Sequence, residues 1–433
     1  MGKAVQNGHF DMVKFLVENG SDIHTNNDEV IVCAAENGHF DIVKYLVENG
    51  ANIHTNNDEA IIFAAENGHF DIVKYLVENG SINNKAIVGA AIIGDLEIVK
   101  YLYENGVDIH TDNDNALIWA SKNGHLDVVK FLIKNGADIH ADDNFAFFYS
   151  ALNGHAEVFR FLVNHTKDIG KHYEDILRYS AKYGFIDIVK HLIEHSQIEN
   201  NQDYINKALM DSSDNGQLNI VKYLIENGTD IHADDDEALI LASRNGHIDI
   251  VKYLIENGAD IHAMNDDALK RAAYNGHLEV MKCLLENGTD IHTNSDFALR
   301  IAAEKGHSDV VKYLVENGAD IHAQNDYALR LAAYMGQPDV VKYLVENGAD
   351  IHAEDDYAIR YAAHYGYLNV VKYLIENGAN IHVNDDEPLR LARANKHSET
   401  VKLLESAMQK VPDALTKEVT AVKNKASTPK RKL

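Results

Sequence analysis

The decapeptide Asp-Ile-Val-Lys-Tyr-Leu-Val-Glu-Asn-Gly at Asp41 to Gly50 returns intact at Asp71 and, with a single aliphatic exchange, at Asp249 and Asp309. Looser copies run through most of the chain. Marked by the glycine slot of an Asn-Gly-His element, the copies fall at 8, 38, 68, 94, 124, 154, 184, 216, 246, 276, 306, 336, 366 and 396. Fourteen units therefore follow one another at 30-residue intervals, apart from one interval of 26 and one of 32. A unit this small cannot enclose an apolar face by itself and must bury it against its neighbours. The expected product is an open stack whose function lies on a surface, not in a central cavity.

The stretch Asp356 to Asp385 serves as a specimen. Asp356 precedes Tyr357-Ala-Ile-Arg-Tyr-Ala-Ala-His-Tyr-Gly366, which reads as a short helix with an N-cap carboxylate and a glycine stop. The same slot holds Asp28, Asp58, Asn84, Asp114, Asn144, Asn206 and Asp236, then Asp at each repeat to Asp386, and only Glu174 departs. A second helix is expected from Leu368 to Asn377, with Val371, Leu374 and Ile375 forming its buried stripe. Gly378 should end it in the left-handed conformation, with Ala379 to Asp385 turning the chain to the next unit. The paired alanines, such as Ala362 and Ala363, allow close approach of neighbouring first helices.

These residues resemble the ankyrin repeat. Glu387-Pro388-Leu389-Arg390-Leu391-Ala392 follows that family's helix start, Asn245-Gly246-His247 its Gly-His element, Val251 with Leu254-Ile255 its second helix, and Gly258-Ala259-Asp260 its closing turn. The resemblance spans roughly residues 1 to 408 in register. It implies an all-α solenoid of stacked helix-turn-helix repeats with its first helices lining a concave groove. Stacking fourteen units at the packed-helix spacing gives a length on the order of 130 Å. The 30-residue unit is three short of the family's usual 33, which predicts shortened turns and hairpins. The Asn-Asp-Asp-x-Ala-Leu and Ile-His variants resemble the expanded ankyrin families of giant DNA viruses of amoebae, which would imply a host-cell setting.

Composition narrows the function. A formal charge of −27 is opposite to the basic footprint of a nucleic-acid binder. Cys33 and Cys283 lie about eight repeats apart, too far to pair, which suits a reducing compartment such as the cytoplasm. No apolar run has the length of a membrane span, there is no signal peptide, and Gln6 stands where a myristoylation motif has Ser or Thr. A monomer is expected.

Three stretches break the pattern. The turn at Ser81 to Lys85 is four residues short, and between Asn164 and Asn206 the Asn-Gly stops are lost and two residues are inserted. The first unit begins inside a helix. The last reads as a cap, with Arg393 for a packing alanine and Lys396 for glycine. Residues 409–433 are expected to be a disordered basic tail, in which Lys430-Arg431-Lys432 has the form of a short nuclear-import signal or simply a solvated end.

Of 24 histidines, ten occupy the Ile-His slot and nine the Gly-His slot. Helices about 8–10 Å apart cannot bring successive copies to the roughly 2 Å that zinc needs, so hydrogen bonding to turn backbone is the expected role. No nucleophile–base pair or phosphate-cradling loop stands out. No enzyme activity, metal or cofactor is expected.

The informative positions are those that vary. On the first helix, slots matching 357, 360, 361 and 364 share a face. At the second of these, early repeats carry Val32, Ile62, Val88, Ile118 and Phe148, whereas late ones carry Lys270, Arg300, Arg330, Arg360 and Arg390, with Arg178 charged in the irregular middle. Phe297, Tyr327, Tyr334, Tyr357, Tyr361, His364 and Tyr365 accompany the late arginines. Tyr and Arg are enriched where interfaces bind tightly. This basic-aromatic stripe is the candidate protein-binding site, suited to an acidic peptide or surface. The competing account pairs the arginines with acids such as Asp326, Asp356 or Glu304. The function expected is a scaffold or adaptor. The alternative is a structural spacer, or a drifting paralogue, with no specific ligand.

Overall fold

Two short helices per repeat recur along the chain, as the 3.6-residue apolar periodicity requires. The computed structural model describes residues 1–165, 172–195 and 202–409, and all the regular structure among them is helical. The chain divides into two compact units, Met1–Ser212 and Ser213–Leu433. In each, first helices such as Thr55–Glu66 or Ala353–Tyr365 pack on the first helix of the next repeat. Second helices such as Phe70–Glu78 or Leu368–Glu376 do likewise, less closely. The alanine pairs explain the difference: Ala362 and Ala363 are fully buried and let backbones approach. Val370, Val371 and Leu374 fill the interior of the second helix, while Ile375 is only half-buried. Each such aliphatic side chain contributes roughly 1.5–3 kcal/mol when taken out of water.

The start of the first helix differs from expectation. Asp356 is not an N-cap. It ends a run of three residues, Glu354, Asp355 and Asp356, with φ of 53°, 55° and 51°, all left-handed. Among the described residues, nine repeats carry such a triplet. A left-handed residue other than glycine costs about 1–2 kcal/mol, least for Asn and Asp. That preference accounts for the Asn/Asp content of Asn56-Asn57-Asp58 and Asp234-Asp235-Asp236.

The third triplet residue earns its conservation within the array through a different bond. Asp356 Oδ1 accepts the backbone N–H of Asn380 in the following repeat at 2.8 Å. It also accepts Nδ1 of His352 in its own repeat at 2.9 Å. The N–H of Asp350 reaches Asp326 at 2.8 Å, Asp320 reaches Asp296 at 2.9 Å, Asp260 reaches Asp236 at 2.8 Å and Asn52 reaches Asp28 at 3.1 Å. These aspartates are about 95% buried, so they need such partners. All ten Ile-His histidines point Nδ1 at this Asp, or at Asn144, rather than at turn backbone. Asp386, followed by no further copy of this turn, is half-exposed.

Most Gly-His histidines do bond backbone, as expected, but in the repeat before: His277 Nε2 donates to Arg244 O and His69 Nε2 to Glu36 O, each at 3.0 Å. The ring lies on the preceding glycine, where a Cβ added to Gly246 would sit 2.6 Å from His277 Nδ1. In the short turn the triplet is missing, and Lys85–Ile93 is a simple nine-residue helix. Asn84 nevertheless keeps the inter-repeat bond, accepting from Asp108 N at 3.1 Å. Glu174 departs here as in the sequence, receiving Lys207 Nζ at 3.1 Å. In the last repeat Lys396 takes the glycine slot at φ 64°, and Arg393 meets Glu405 at 2.6 Å from a helix over residues 398–409. The expected tail, the import-like Lys430-Arg431-Lys432 and parts of the irregular 164–206 stretch lie outside the described residues.

The two glycine slots should therefore respond differently to a methyl group. Gly258 has φ 98° with nothing within 4 Å of an added Cβ, whereas Gly246 has φ 78° beneath His277. Gly258→Ala should cost about 1 kcal/mol from backbone strain alone. Gly246→Ala should cost about 1 kcal/mol more, for the displaced histidine bond, measured as urea-unfolding midpoints.

Candidate functional site

The stripe residues lie in the Ser213–Leu433 unit, on the first helices Thr293–Lys305, Ala323–Tyr334, Ala353–Tyr365 and Val383–Ala394. The structure brings most of them together. Arg300 packs its guanidinium over Phe297 (5.6 Å) and Tyr327 (5.7 Å). Arg330 packs over Tyr327 (4.8 Å) and Tyr357 (5.4 Å). Tyrosine and arginine thus alternate from one repeat to the next, each cation between a ring of its own helix and one of the next.

None of the three expected acids is an arginine partner. Arg330 donates Nε to Asn325 O at 3.0 Å and Nη2 to Gln324 O at 2.8 Å. Arg300 does the same to Ser295 O and Asn294 O, adding Nη1 to Gln324 Oε1 at 3.2 Å. Arg390 repeats the pair on Asp385 O and Asn384 O. The guanidinium fork thus fastens the carbonyls of the first two left-handed residues. Asp326, Asp356 and Glu304 do not pair with these arginines. Among the described residues, Arg360 is the one stripe arginine with an ion pair, to Glu387 at 2.7 Å, and its bonds to the turn carbonyls lengthen to 3.4 Å. Hydrogen bonds from Asn384 and then Arg360 hold the Glu387 carboxyl below its ordinary range. Burial lowers the Arg300 guanidinium from its usual value.

The tyrosines form a second cluster. Tyr357 and Tyr361 stack at 4.1 Å, Tyr361 lies 5.7 Å from Tyr334, and Tyr334 meets Tyr365 edge-on at 5.1 Å. His364 stands edge-on to Tyr365 at 4.6 Å, and Asn395 Nδ2 donates to its Nδ1 at 3.1 Å. The Tyr365 hydroxyl donates to the Tyr334 hydroxyl at 2.9 Å. Arg390 takes no part in the ring contacts. Tyr365 is 39% exposed, so the cluster has an open side. This is a rigid aromatic surface with hydroxyls and a few residual N–H groups, of the kind that makes polar and apolar contacts at low entropic cost.

Sequence reading overlooked three contributors. Glu387 neutralises Arg360. Tyr367, which replaces the Gly-His histidine, stacks on Tyr365 at 5.9 Å and extends the cluster. In the Met1–Ser212 unit, Trp119, Tyr149 and Tyr179 occupy the register of Tyr361. Tyr367 was visible as a departure from the histidine column, whereas Glu387 matches Glu29, Glu59 and Glu237 in its own.

A family model described as ankyrin repeats in three copies matches residues 1–87, 86–175, 147–235, 177–265, 209–295, 269–355 and 329–413. Among solved structures, the chain is similar to the ankyrin repeat domain of human ASB11, at 25% identity over 45% of this chain and 96% of that one, with a TM-score of 0.41. No curated protein matches the chain significantly.

The hydroxyl pair makes a direct check on the cluster. Losing the bond to Tyr334 on ionisation raises Tyr365 to about 12, from the ordinary value of 10. Followed by carbon NMR at the ring Cζ, Tyr334→Phe should return the Tyr365 titration toward 10. A Tyr365 titration unchanged by Tyr334→Phe would mean that the two hydroxyls do not meet.

Proposed function

The chain belongs to the ankyrin-repeat family, and from that premise we propose that it binds an acidic protein segment along the arginine-tyrosine face of its Ser213–Leu433 unit. Ankyrin repeats are generally protein–protein interaction modules, and proteins built of them are typically non-enzymatic scaffolds. In the family arrangement the first helices line the concave groove. The observation that carries the choice of face is the run Arg300–Tyr327–Arg330–Tyr357, in which cations and rings alternate between repeats. Stacking on tyrosine holds each guanidinium in place, so little side-chain entropy is lost on binding. Among the described residues, Nη1 of Arg330 and of Arg390 has no hydrogen-bond partner, which leaves a donor for a carboxylate at each end of the Arg360–Glu387 pair.

One observation favours the spacer reading: most guanidinium donors already hold their own turn. Binding of a fluorescent glutamate-rich peptide separates the two. The wild-type chain should bind it and prefer it to the glutamine counterpart. Arg330→Ala combined with Arg390→Ala should weaken binding at least about tenfold, or 1.4 kcal/mol, with helicity retained by circular dichroism. No preference for glutamate over glutamine, or equal binding by the variant, would favour the spacer.

A further inference from the structure

The Met1–Ser212 unit carries another first-helix face, independent of the arginine-tyrosine face. Trp119, Tyr149 and Tyr179 stand at one register on three successive first helices, Thr111–Lys122, Ala141–Leu152 and Tyr173–Tyr183. Phe148 joins the last two, 5.6 Å from Tyr149 and edge-on to Tyr179 at 6.2 Å. The Lys122 ammonium lies 4.1 Å from the Trp119 ring and 5.3 Å from that of Tyr149. Tyr183 lies parallel to Tyr179 at 6.1 Å. Tyr179 and Tyr183 are 38% and 50% exposed, and Trp119, Phe148 and Tyr149 are half-buried. The same register holds Cys33, Gly89, Asp211 and Leu241 elsewhere. Repeat stacking therefore does not require these rings, and a continuous aromatic surface over three repeats points to a ligand.

Charge and spacing select among ligands. Single-stranded nucleic acid stacks on aromatic platforms but needs cations directed at phosphate. Here Lys122 is seated on rings, and Arg178 donates to Asp211 at 2.7 Å with Glu174 at 3.8 Å. The face therefore suits an uncharged partner. An amphipathic helix advances about 5.4 Å per turn and falls out of step with the repeats. A polyproline II chain advances 3.1 Å per residue with three residues per turn, about 9.3 Å, matching the roughly 8–10 Å between packed helices. Every third residue of such a chain meets the next repeat. Its proline rings lie flat on aromatic side chains, and its unpaired carbonyls accept from indole N–H and phenolic hydroxyl groups. Among the described residues, Trp119 Nε1 and the hydroxyls of Tyr149 and Tyr179 donate to no other protein group.

We propose that this face of the Met1–Ser212 unit docks a proline-rich segment in the polyproline II conformation, with one residue in three seated on Trp119, Tyr149 and Tyr179 in turn.

Trp119 is the sole tryptophan of the chain, so its emission reports occupancy of this face directly. The full chain would be titrated with an oligoproline peptide, a glycine-serine peptide of equal length, and oligothymidylate. A saturable change in Trp119 emission is expected with oligoproline alone. Tyr179→Ala, at an exposed position, should weaken it at least about tenfold, 1.4 kcal/mol, and Tyr149→Phe should test the hydroxyl without removing the ring. Arg330→Ala in the other unit should leave the titration unchanged, which separates this site from the acidic-segment site. The proposal is overturned if oligoproline gives no saturable change, if glycine-serine does as well, if only oligothymidylate saturates the signal, or if Tyr179→Ala binds oligoproline like wild type.

Discussion

Among the described residues, a single buried carboxyl oxygen ties one repeat to the next at several junctions. At Asp28, Asp236, Asp296, Asp326 and Asp356 it accepts a histidine ring from its own repeat and a backbone N–H from the next. A hydrogen bond to a charged group contributes about 1.5–3 kcal/mol, and an orphaned buried acceptor costs a similar amount. Stability is thereby concentrated at the junctions, as a quasi-one-dimensional stack requires. In nine of the described repeats the backbone reaches this point through three successive left-handed residues, mostly Asn and Asp. Asp350 completes the turn by accepting the N–H of His352 at 2.9 Å.

This fastening leaves the first-helix face free to vary, and the two units use it differently. In the late repeats an arginine reaches back to the left-handed carbonyls and stacks between tyrosines, so it braces the turn and shapes the surface together. In early repeats Val32, Ile62 or Ile118 stands in that place and offers those carbonyls no donor. The proposed recognition of an acidic segment is therefore coupled to stability in the Ser213–Leu433 unit. Arg330→Ala would disturb both, which is why a helicity control belongs with any binding comparison.

Much of this was legible in the amino acids. Period, helix pairing, the alanine contacts and the two glycine stops follow from local chemistry that each repeat states anew. The role of Asp356 was not, because an Asp before a helix looks the same whether it caps that helix or reaches the next repeat 24 residues on. Deciding needs the left-handed turn, which composition only hints at through Asn and Asp. The arginine stripe was found by column comparison, yet its bonds to Gln324 O and Asn325 O escaped notice, since backbone acceptors leave no mark in sequence. Trp119, Tyr149 and Tyr179 share the register of Tyr361, but that column also holds Cys33, Gly89, Asp211 and Leu241, so no pattern in sequence marks the three as one surface.

Native-state hydrogen exchange at the Asp350 amide tests the junction most directly, because this N–H donates to Asp326 across the repeat boundary. Asp326→Ala should abolish its protection while amides of distant repeats keep theirs. Asp326→Asn should retain most of it, as Asn84 already makes this bond at 3.1 Å. Equal protection of Asp350 in wild type and Asp326→Ala would contradict the account.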